Sequence, residues 1–491
     1  MNIIIASPES SPYSKTGGLA DVAGALPSAL ARLGHKVKIF TPLYKSVREK
    51  HGKIAHRGIR ISVKLGDKNH DGELWQEGNY YFIKNDLFFD REEFYGHGDI
   101  DYEDNHLRFA FFSMAILEAL KAIGEEAHII HCHDWQTALI PLYMKLYYRE
   151  EAVFNKSAVL FTIHNMAFQG LFPKKVMDQI ALPSGLFNYK GLEFYEKLNF
   201  MKAGLIFSDL LSTVSIKYSK EIQTKEMGCG LEGLLQERKR DLYGVANGIN
   251  YDEWDPETDK YIRANYSHKD IRNKKLCKKE LLDIFKLPHK ENIPLVGLVS
   301  RLDPQKGFEL IRKGQKSLMA LPIQMVFLGK GSKEIENFLH KMAKENPDRV
   351  GLSIGYDESL AHKIEAGADI FLMPSRYEPC GLNHLYSLKY GTVPVVRATG
   401  GLDDAITNYS YSRKKGNGFK FRAFKPAAMV NALKKAVSLF LSDREDWEGL
   451  IKKAMQEEYT WHMSADRYVK LYHKAISNSR ERPGNITEVM R

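Results

Sequence analysis

Ile3-Ile4-Ile5-Ala6, an apolar run that stops at Ser7-Pro8, decides the fold class once it is read with the residues that follow. A run this short, bounded by turn residues, reads as a buried strand. A polar loop comes next, then apolar residues at helical spacing over 19–33, a stop at Gly34, and a second apolar run at 36–40. Strand, helix and strand in that order form a βαβ unit, so a parallel sheet begins here. Apolar runs at 128–131 and 158–163 each end in a polar cluster, as strands covered on both faces do. A first α/β domain is therefore expected over 1–245.

The composition then shifts. Tyr251-Asp252-Glu253-Trp254-Asp255-Pro256-Glu257-Thr258-Asp259 is acidic, and 269–279 is rich in Lys and Arg. A linker with the start of a second domain over 246–290 accounts for both. The basic run reads as the charged face of a solvated helix, with a phosphate-binding patch as the alternative. Strand and helix alternate again from Ile293: strands at 293–300 and 323–328, near Leu352, and at 370–373 and 393–396, with helices from Phe308 and Lys333. That is a second doubly wound α/β domain, expected over 291–462. A helix over 463–477 is expected to pack back towards the first domain, and the polar stretch 478–491 to be a disordered tail.

A chain of 491 residues has room for about three domains, or two large ones. Lys plus Arg is 71 and Asp plus Glu is 61, a net charge of +10 with no dense basic tract, which points away from nucleic acid and suits an anionic small substrate. Hydrophobic residues at 44% allow a large core and exclude a disordered chain. The four cysteines, Cys132, Cys229, Cys277 and Cys380, are too scattered for a disulfide framework or a paired zinc motif, which suggests a reducing compartment. The N-terminus lacks the basic start and long apolar core of a signal peptide, and no apolar run nears the ~18 residues of a membrane span. A soluble cytoplasmic protein with no membrane partner is expected.

Ligands in open α/β sheets bind beyond the carboxyl ends of strands, so the polar clusters there carry the functional reading. Ser14-Lys15-Thr16-Gly17-Gly18-Leu19 opens a helix with two glycines and a cation, the outline of a diphosphate cradle, though a glycine pair also serves a plain tight turn. In His131-Cys132-His133-Asp134-Trp135-Gln136 the mixture suits a sugar, while Asp134 could equally cap a helix. Zinc is disfavoured there, because alternate strand residues face opposite ways and Cys132 would point away from both histidines. Thr162 to Gly170 adds His164, which could be structural. Ser300-Arg301-Leu302-Asp303-Pro304-Gln305-Lys306-Gly307 places two cations before a helix, where they could neutralise a departing phosphate or simply face solvent. Finally, Pro374-Ser375-Arg376-Tyr377-Glu378-Pro379-Cys380-Gly381-Leu382-Asn383 sets a carboxylate at a strand end, which solvent or substrate is expected to meet.

These motifs, with Asn247-Gly248-Ile249 between them, occur in the order and approximate spacing of bacterial glycogen synthases and the similar plant starch synthases, and the sequence resembles that family from Asn2 to about Tyr472. The resemblance implies a metal-independent, cofactor-free glycosyltransferase of GT-B type, with two Rossmann-like domains facing each other across a deep cleft. It implies transfer of glucose from ADP-glucose to the non-reducing end of glycogen or another α-1,4-glucan, with retention. Lys15, Gly17 and Gly18 would meet the donor, Arg301 and Lys306 clamp its diphosphate, and Tyr356 stack on the adenine. Asp134, His164 and Glu378 would surround the glucosyl ring, aided by Tyr95, Trp135 and Asn247. The amides of Gly381 and Leu382 would help to hold phosphate, and Asn165, Gln169, Cys380 and Asn383 belong to the same substrate-binding motifs. Other readings are a UDP-glucose-using or starch-synthase-like glucan transferase, and a catalytically silent glucan-binding protein.

Two positions depart from wider patterns. Tyr386 stands eight residues after Glu378, where many related transferases have a second glutamate, a feature the glycogen and starch synthases also lack. His384 replaces the glutamine usual after Asn383. Asp99-Ile100-Asp101 matches the DxD pattern of metal-dependent glycosyltransferases, but its glycine-broken acidic surroundings read as a solvated loop.

Overall fold

The structure, a computed structural model, describes every residue except 99, 482–485 and 491. It divides into two compact units, the first made of residues 1–214, 219–245 and 461–491 and the second of residues 215–218 and 246–460.

The first unit is built on nine strands: β1 (Asn2–Ala6), β2 (Lys36–Pro42), β3 (Ala55–Leu65), β4 (Lys68–Glu77), β5 (Tyr80–Lys84), β6 (Ile129–His133), β7 (Ala158–Ile163), β8 (Leu210–Thr213) and β9 (Leu242–Gly244). They lie in the order β9-β8-β7-β6-β1-β2-β5-β4-β3. All neighbours are parallel except β5-β4 and β4-β3, which form an antiparallel extension. The chain leaves β1 towards β2 and later returns to its other side at β6, so the topological switch lies between β1 and β6. Ala6 pairs with Cys132 and His133 with Thr162, which brings the carboxyl ends of β1, β6 and β7 level with one another.

Burial explains the cover on one face. Val22, Leu26 and Leu30 of the Gly18–Arg32 helix pack over Ile3 and Ile5 together with Ala465, Tyr468 and Tyr472 from the Trp461–Glu481 helix. That last helix is longer than the 463–477 read from the sequence. The disordered tail expected over 478–491 is not what the described residues show: the helix continues to Glu481, and a short helix, Ile486–Met490, lies against Gly185 and Asn188. The rest of that stretch, 482–485 and 491, is outside the described residues.

The second unit has six strands: β10 (Leu295–Val299), β11 (Gln324–Gly329), β12 (Val350–Ile354), β13 (Ile370–Met373), β14 (Val393–Arg397) and β15 (Phe419–Phe421). The order is β12-β11-β10-β13-β14-β15 and every pairing is parallel, a Rossmann arrangement whose switch point lies between β10 and β13. Apolar clusters cover both faces. The basic run at 269–279 is not simply a solvated face. Lys274 is buried and its ammonium donates to the carbonyls of Ala366 and Tyr390 and to Thr392 Oγ1, while Lys278 pairs with Asp369 at 2.6 Å. Burial lowers Lys274 to about 8. No helix of the described residues is long and apolar enough to cross a membrane.

Candidate active site

At the switch point of the first sheet, the loop after β1 carries a carboxylate that sequence reasoning passed over. Glu9 is buried and accepts hydrogen bonds from the Thr16 amide, from Thr16 Oγ1 at 2.6 Å and from the Tyr95 hydroxyl at 2.6 Å. Burial raises its carboxyl above the usual range against these bonds. An acidic residue three positions past an all-apolar strand, ahead of the glycine pair, was the available signal. Glu9 thereby holds the loop that presents Lys15, Gly17 and Gly18. Lys15 lies at the surface with its ammonium 2.6 Å from Asp21. A Cβ at Gly17 or Gly18 would touch nothing, so neither glycine is demanded by packing.

Asp134, at the end of β6, does not cap a helix. Its Oδ1 accepts from the His164 amide at 2.7 Å, and no capping bond forms to the short turn that follows. Its backbone has φ 56° and ψ −179°, a conformation all but reserved for glycine that costs about 1–3 kcal/mol. Burial pushes its carboxyl up to about 7, against hydrogen bonds from the His164 and Asn165 amides. The strain turns the carboxylate towards the end of β7.

His164 meets His133 there, Nε2 to Nδ1 at 2.8 Å, and both rings are buried. Burial holds His164 down at about 3 and His133 well below its usual value, so both are neutral. His133 Nε2 is buried without a hydrogen-bond partner among the described residues, which makes it the cheaper atom to leave unprotonated. His133 Nδ1–H then donates to His164 Nε2, and His164 carries its proton on Nδ1.

The other first-unit candidates are held by protein partners. Gln169 Nε2 donates to the carbonyls of Met166 and Cys229 while its Oε1 accepts from Asn199 Nδ2, and Asn165 Oδ1 accepts from the Ala167 amide. Trp135 is packed among Phe109, Phe172 and Phe200.

In the second unit, the loops after β10 and β13 meet at the switch point. Lys306 Nζ lies 2.7 Å from Glu378 Oε2, which also accepts from Ser375 Oγ at 3.0 Å. Glu378 is therefore buried and met by Lys306 and Ser375 rather than by open solvent. Arg301 is exposed, with its guanidinium 3.1 Å from Asp303. Asn383 Nδ2 donates to the Val299 carbonyl at 2.8 Å and ties the second loop to the end of β10. Gly381 has φ +72°, and a Cβ there would stand 2.9 Å from Glu378 Cγ, so glycine is required before the amide of Leu382.

Cys380 is buried and its thiol is pushed up to about 12 despite hydrogen bonds from Asn247, which makes it inert as a nucleophile. His384 is also buried, held down to about 3 by desolvation, and lies beneath Gly381 rather than at the surface. Tyr356 follows the edge strand β12 and is 83% exposed, at the carboxyl end of the same sheet. Asp99 of the DxD pattern lies outside the described residues, and Asp101 is exposed in a two-residue strand.

Two family models cover most of the chain: the starch synthase catalytic domain over residues 2–237 and glycosyl transferases group 1 over residues 280–457. A glycogen synthase of Koribacter versatilis is 45% identical over 97% of this chain and 98% of its own length. One from Thermosipho africanus is 41% identical over 98% of this chain and 100% of its own. The solved catalytic domain of starch synthase IV from Arabidopsis thaliana, bound to ADP and acarbose, aligns with a TM-score of 0.88 and 33% identity over 97% of this chain and 99% of that one. A sucrose-phosphate synthase from Thermosynechococcus elongatus shares the fold alone, at a TM-score of 0.60 and 16% identity. Two α/β units with their polar loops at the carboxyl ends of parallel strands, matched along nearly the whole length, place this chain in the glycogen and starch synthase family of GT-B glycosyltransferases.

Proposed function

We propose that the chain elongates an α-1,4-glucan by transferring glucose from ADP-glucose to its non-reducing end, with retention at the anomeric carbon. The observation that carries this reading is that the loop after β10, which bears Arg301 and Lys306, is joined to the loop after β13 by the Lys306–Glu378 pair at the switch point of the second sheet. A diphosphate leaving group needs fixed positive charge there.

Arg301 and Lys306 neutralise the diphosphate, the Gly381 and Leu382 amides add donors, and Tyr356 stacks on the adenine. Lys15, Gly17 and Gly18 approach the donor, two of them without side chains to obstruct it. Asp134 and His164 bind the glucosyl group, with Glu378 fixing the ammonium of Lys306. Glu9 positions Tyr95, while Trp135, Asn165, Gln169, Asn247, Cys380 and Asn383 shape the loops. In the transfer, the bond from glucosyl C1 to the phosphate oxygen breaks and a bond from C1 to the acceptor 4-oxygen forms on the same face. The acceptor proton passes to the leaving phosphate, so no covalent enzyme intermediate is needed. The bound ADP and acarbose of the starch synthase IV structure support a nucleotide and an α-glucan as ligands.

Incubation with glycogen and labelled ADP-glucose or UDP-glucose tests the reading. Label is expected in the polymer from ADP-glucose. Preference for UDP-glucose would reassign the donor, and no incorporation from either would leave a glucan-binding protein.

A further inference from the structure

Apart from the residues assigned to glucosyl transfer, the second unit holds a histidine with one nitrogen left over. His362 lies on the Glu358–Gly367 helix, fully buried, with its ring stacked on Trp254 at 3.7 Å between centroids. Tyr386 stacks on the same indole at 3.9 Å. His362 Nδ1 stands 2.8 Å from Asp259 Oδ2. That carboxylate is itself fixed, since Oδ2 accepts from the Tyr390 hydroxyl at 2.6 Å and Oδ1 from the Tyr261 amide at 2.8 Å.

A carboxylate held in this way accepts the imidazole N–H, so a neutral His362 carries its proton on Nδ1 and leaves a bare lone pair on Nε2. Nε2 is buried and has no hydrogen-bond partner among the described residues. One ring nitrogen of His362 and one carboxylate oxygen each of Glu253 and Glu358 lie within 4.8 Å of one another, and of the two nitrogens Nδ1 is already taken by Asp259. Glu358 is one helical turn before His362, and Glu253 adjoins Trp254. Both carboxylates are exposed, on side chains with three rotatable bonds.

We propose that Glu253, Glu358 and His362 bind a divalent transition-metal cation of the zinc type, with Asp259 orienting the histidine. Carboxylate–histidine–metal is the arrangement in which a second-shell acid fixes the tautomer and raises ligand basicity. Bonds of about 2.0–2.2 Å let one zinc ion join donors up to ~4 Å apart, so small rotations of the two glutamates complete the site. One nitrogen with two carboxylates suits zinc, whereas magnesium takes oxygen ligands and keeps its waters. The ion clips the segment around Glu253 to the first turn of the helix that follows Tyr356. None of the three ligands is a group assigned to the reaction, although Tyr356 lies two residues before Glu358, so the effect expected is on the stability of the second unit.

The test uses the full chain, stripped with EDTA and then dialysed against zinc chloride, with metal content measured by mass spectrometry. The wild type is expected to bind one zinc more than the double variant Glu253→Gln, Glu358→Gln, and zinc is expected to raise the melting temperature of the wild type only. Both substitutions are at exposed positions, so folding of the variant is expected and is checked by circular dichroism. Cobalt chloride is expected to give the intense visible absorption of a four- or five-coordinate site in the wild type and not in the variant. Magnesium chloride at the same concentration should do neither. Equal zinc content in the two proteins, or a melting shift that persists in the variant, would overturn the proposal. So would a wild type that binds no zinc.

Discussion

Lys306 and Glu378 form an ion pair at 2.7 Å whose side chains are only 18% and 6% exposed, joining the loops after β10 and β13. A pair this enclosed cannot be treated as two independent site residues, because removing one partner leaves the other as a buried uncompensated charge.

Glu378→Gln is therefore expected to lower stability as well as activity, by about 3 kcal/mol if the ammonium stays buried. Urea unfolding measures it. Lys306→Met combined with Glu378→Gln should regain most of that stability and none of the activity. If the double variant is no more stable than Glu378→Gln alone, the pair is not the source of the loss.

Arg301 presents the opposite case. It is 58% exposed and tied only to Asp303 among the pairs seen, so Arg301→Ala is expected to leave the melting temperature almost unchanged. Loss of a preorganised cation at a developing diphosphate charge should nonetheless lower kcat by about a hundredfold. Steady-state kinetics with ADP-glucose would detect it, and a normal kcat would remove Arg301 from the clamp.

Asp134 gives a pH signature. Its carboxyl is raised by burial to about 7, so the folded protein holds this proton more tightly than the unfolded chain does. The sign follows from linkage: stability from this group is full below the ordinary carboxylate value and is lost as pH rises towards about 7. Asp134→Asn cannot ionise. Its melting temperature relative to wild type should accordingly be higher at pH 8 than at pH 4, although transfer is impaired at both. A difference that does not change with pH would contradict the raised value.

Much of this was legible in the chain, and the failures share a cause. The alternation of apolar runs and the residues at strand ends are local signals, so both parallel sheets and the loops carrying Asp134, His164, Arg301, Lys306 and Glu378 could be read directly. What was missed depends on partners distant in sequence. Glu9 looked like an ordinary loop residue because Tyr95 lies 86 positions away. That Glu378 is buried against Lys306, and not open to solvent, could not be read because Lys306 is 72 positions before it. Lys274 sat in a run of charges that reads as a solvated face, yet its acceptors lie about 90 to 120 residues downstream. The antiparallel strands β3 and β4 went unremarked because they are largely polar, with buried and exposed residues taking turns only over Ile61 to Leu65 of β3.

The paired histidines yield a spectroscopic prediction. His133 and His164 are buried and both are held far below the usual imidazole value by desolvation, so neither should titrate across the pH range in which the enzyme works. In a protein labelled with 15N-histidine, both rings should show the shifts of neutral imidazole from pH 5 to pH 8, with His164 protonated on Nδ1 and His133 also on Nδ1. His133→Phe should raise KM for the donor more than it lowers kcat, because it frees the tautomer of His164 without removing it. Cationic shifts at pH 6 would contradict the neutral pair.

The last prediction separates transfer from metal binding. In the proposed reaction Arg301, Lys306 and Lys15 supply the positive charge, with no call on the carboxylates of the DxD pattern. Asp101 is exposed in a two-residue strand paired with Gly96–His97, with no buried strand leading into it. Hard cations such as magnesium bind carboxylates readily, so the pattern alone would not exclude them. With the leaving group neutralised by guanidinium and ammonium groups, the rate should nevertheless not depend on a metal. Transfer measured over short times in excess EDTA is expected to keep the kcat seen with zinc, even though the chelator lowers the melting temperature of a zinc-loaded sample. Asp101→Asn should retain most of the activity. An EDTA-treated enzyme that stays folded, loses turnover and regains it with magnesium or manganese would show that Arg301, Lys306 and Lys15 are not sufficient for the reaction.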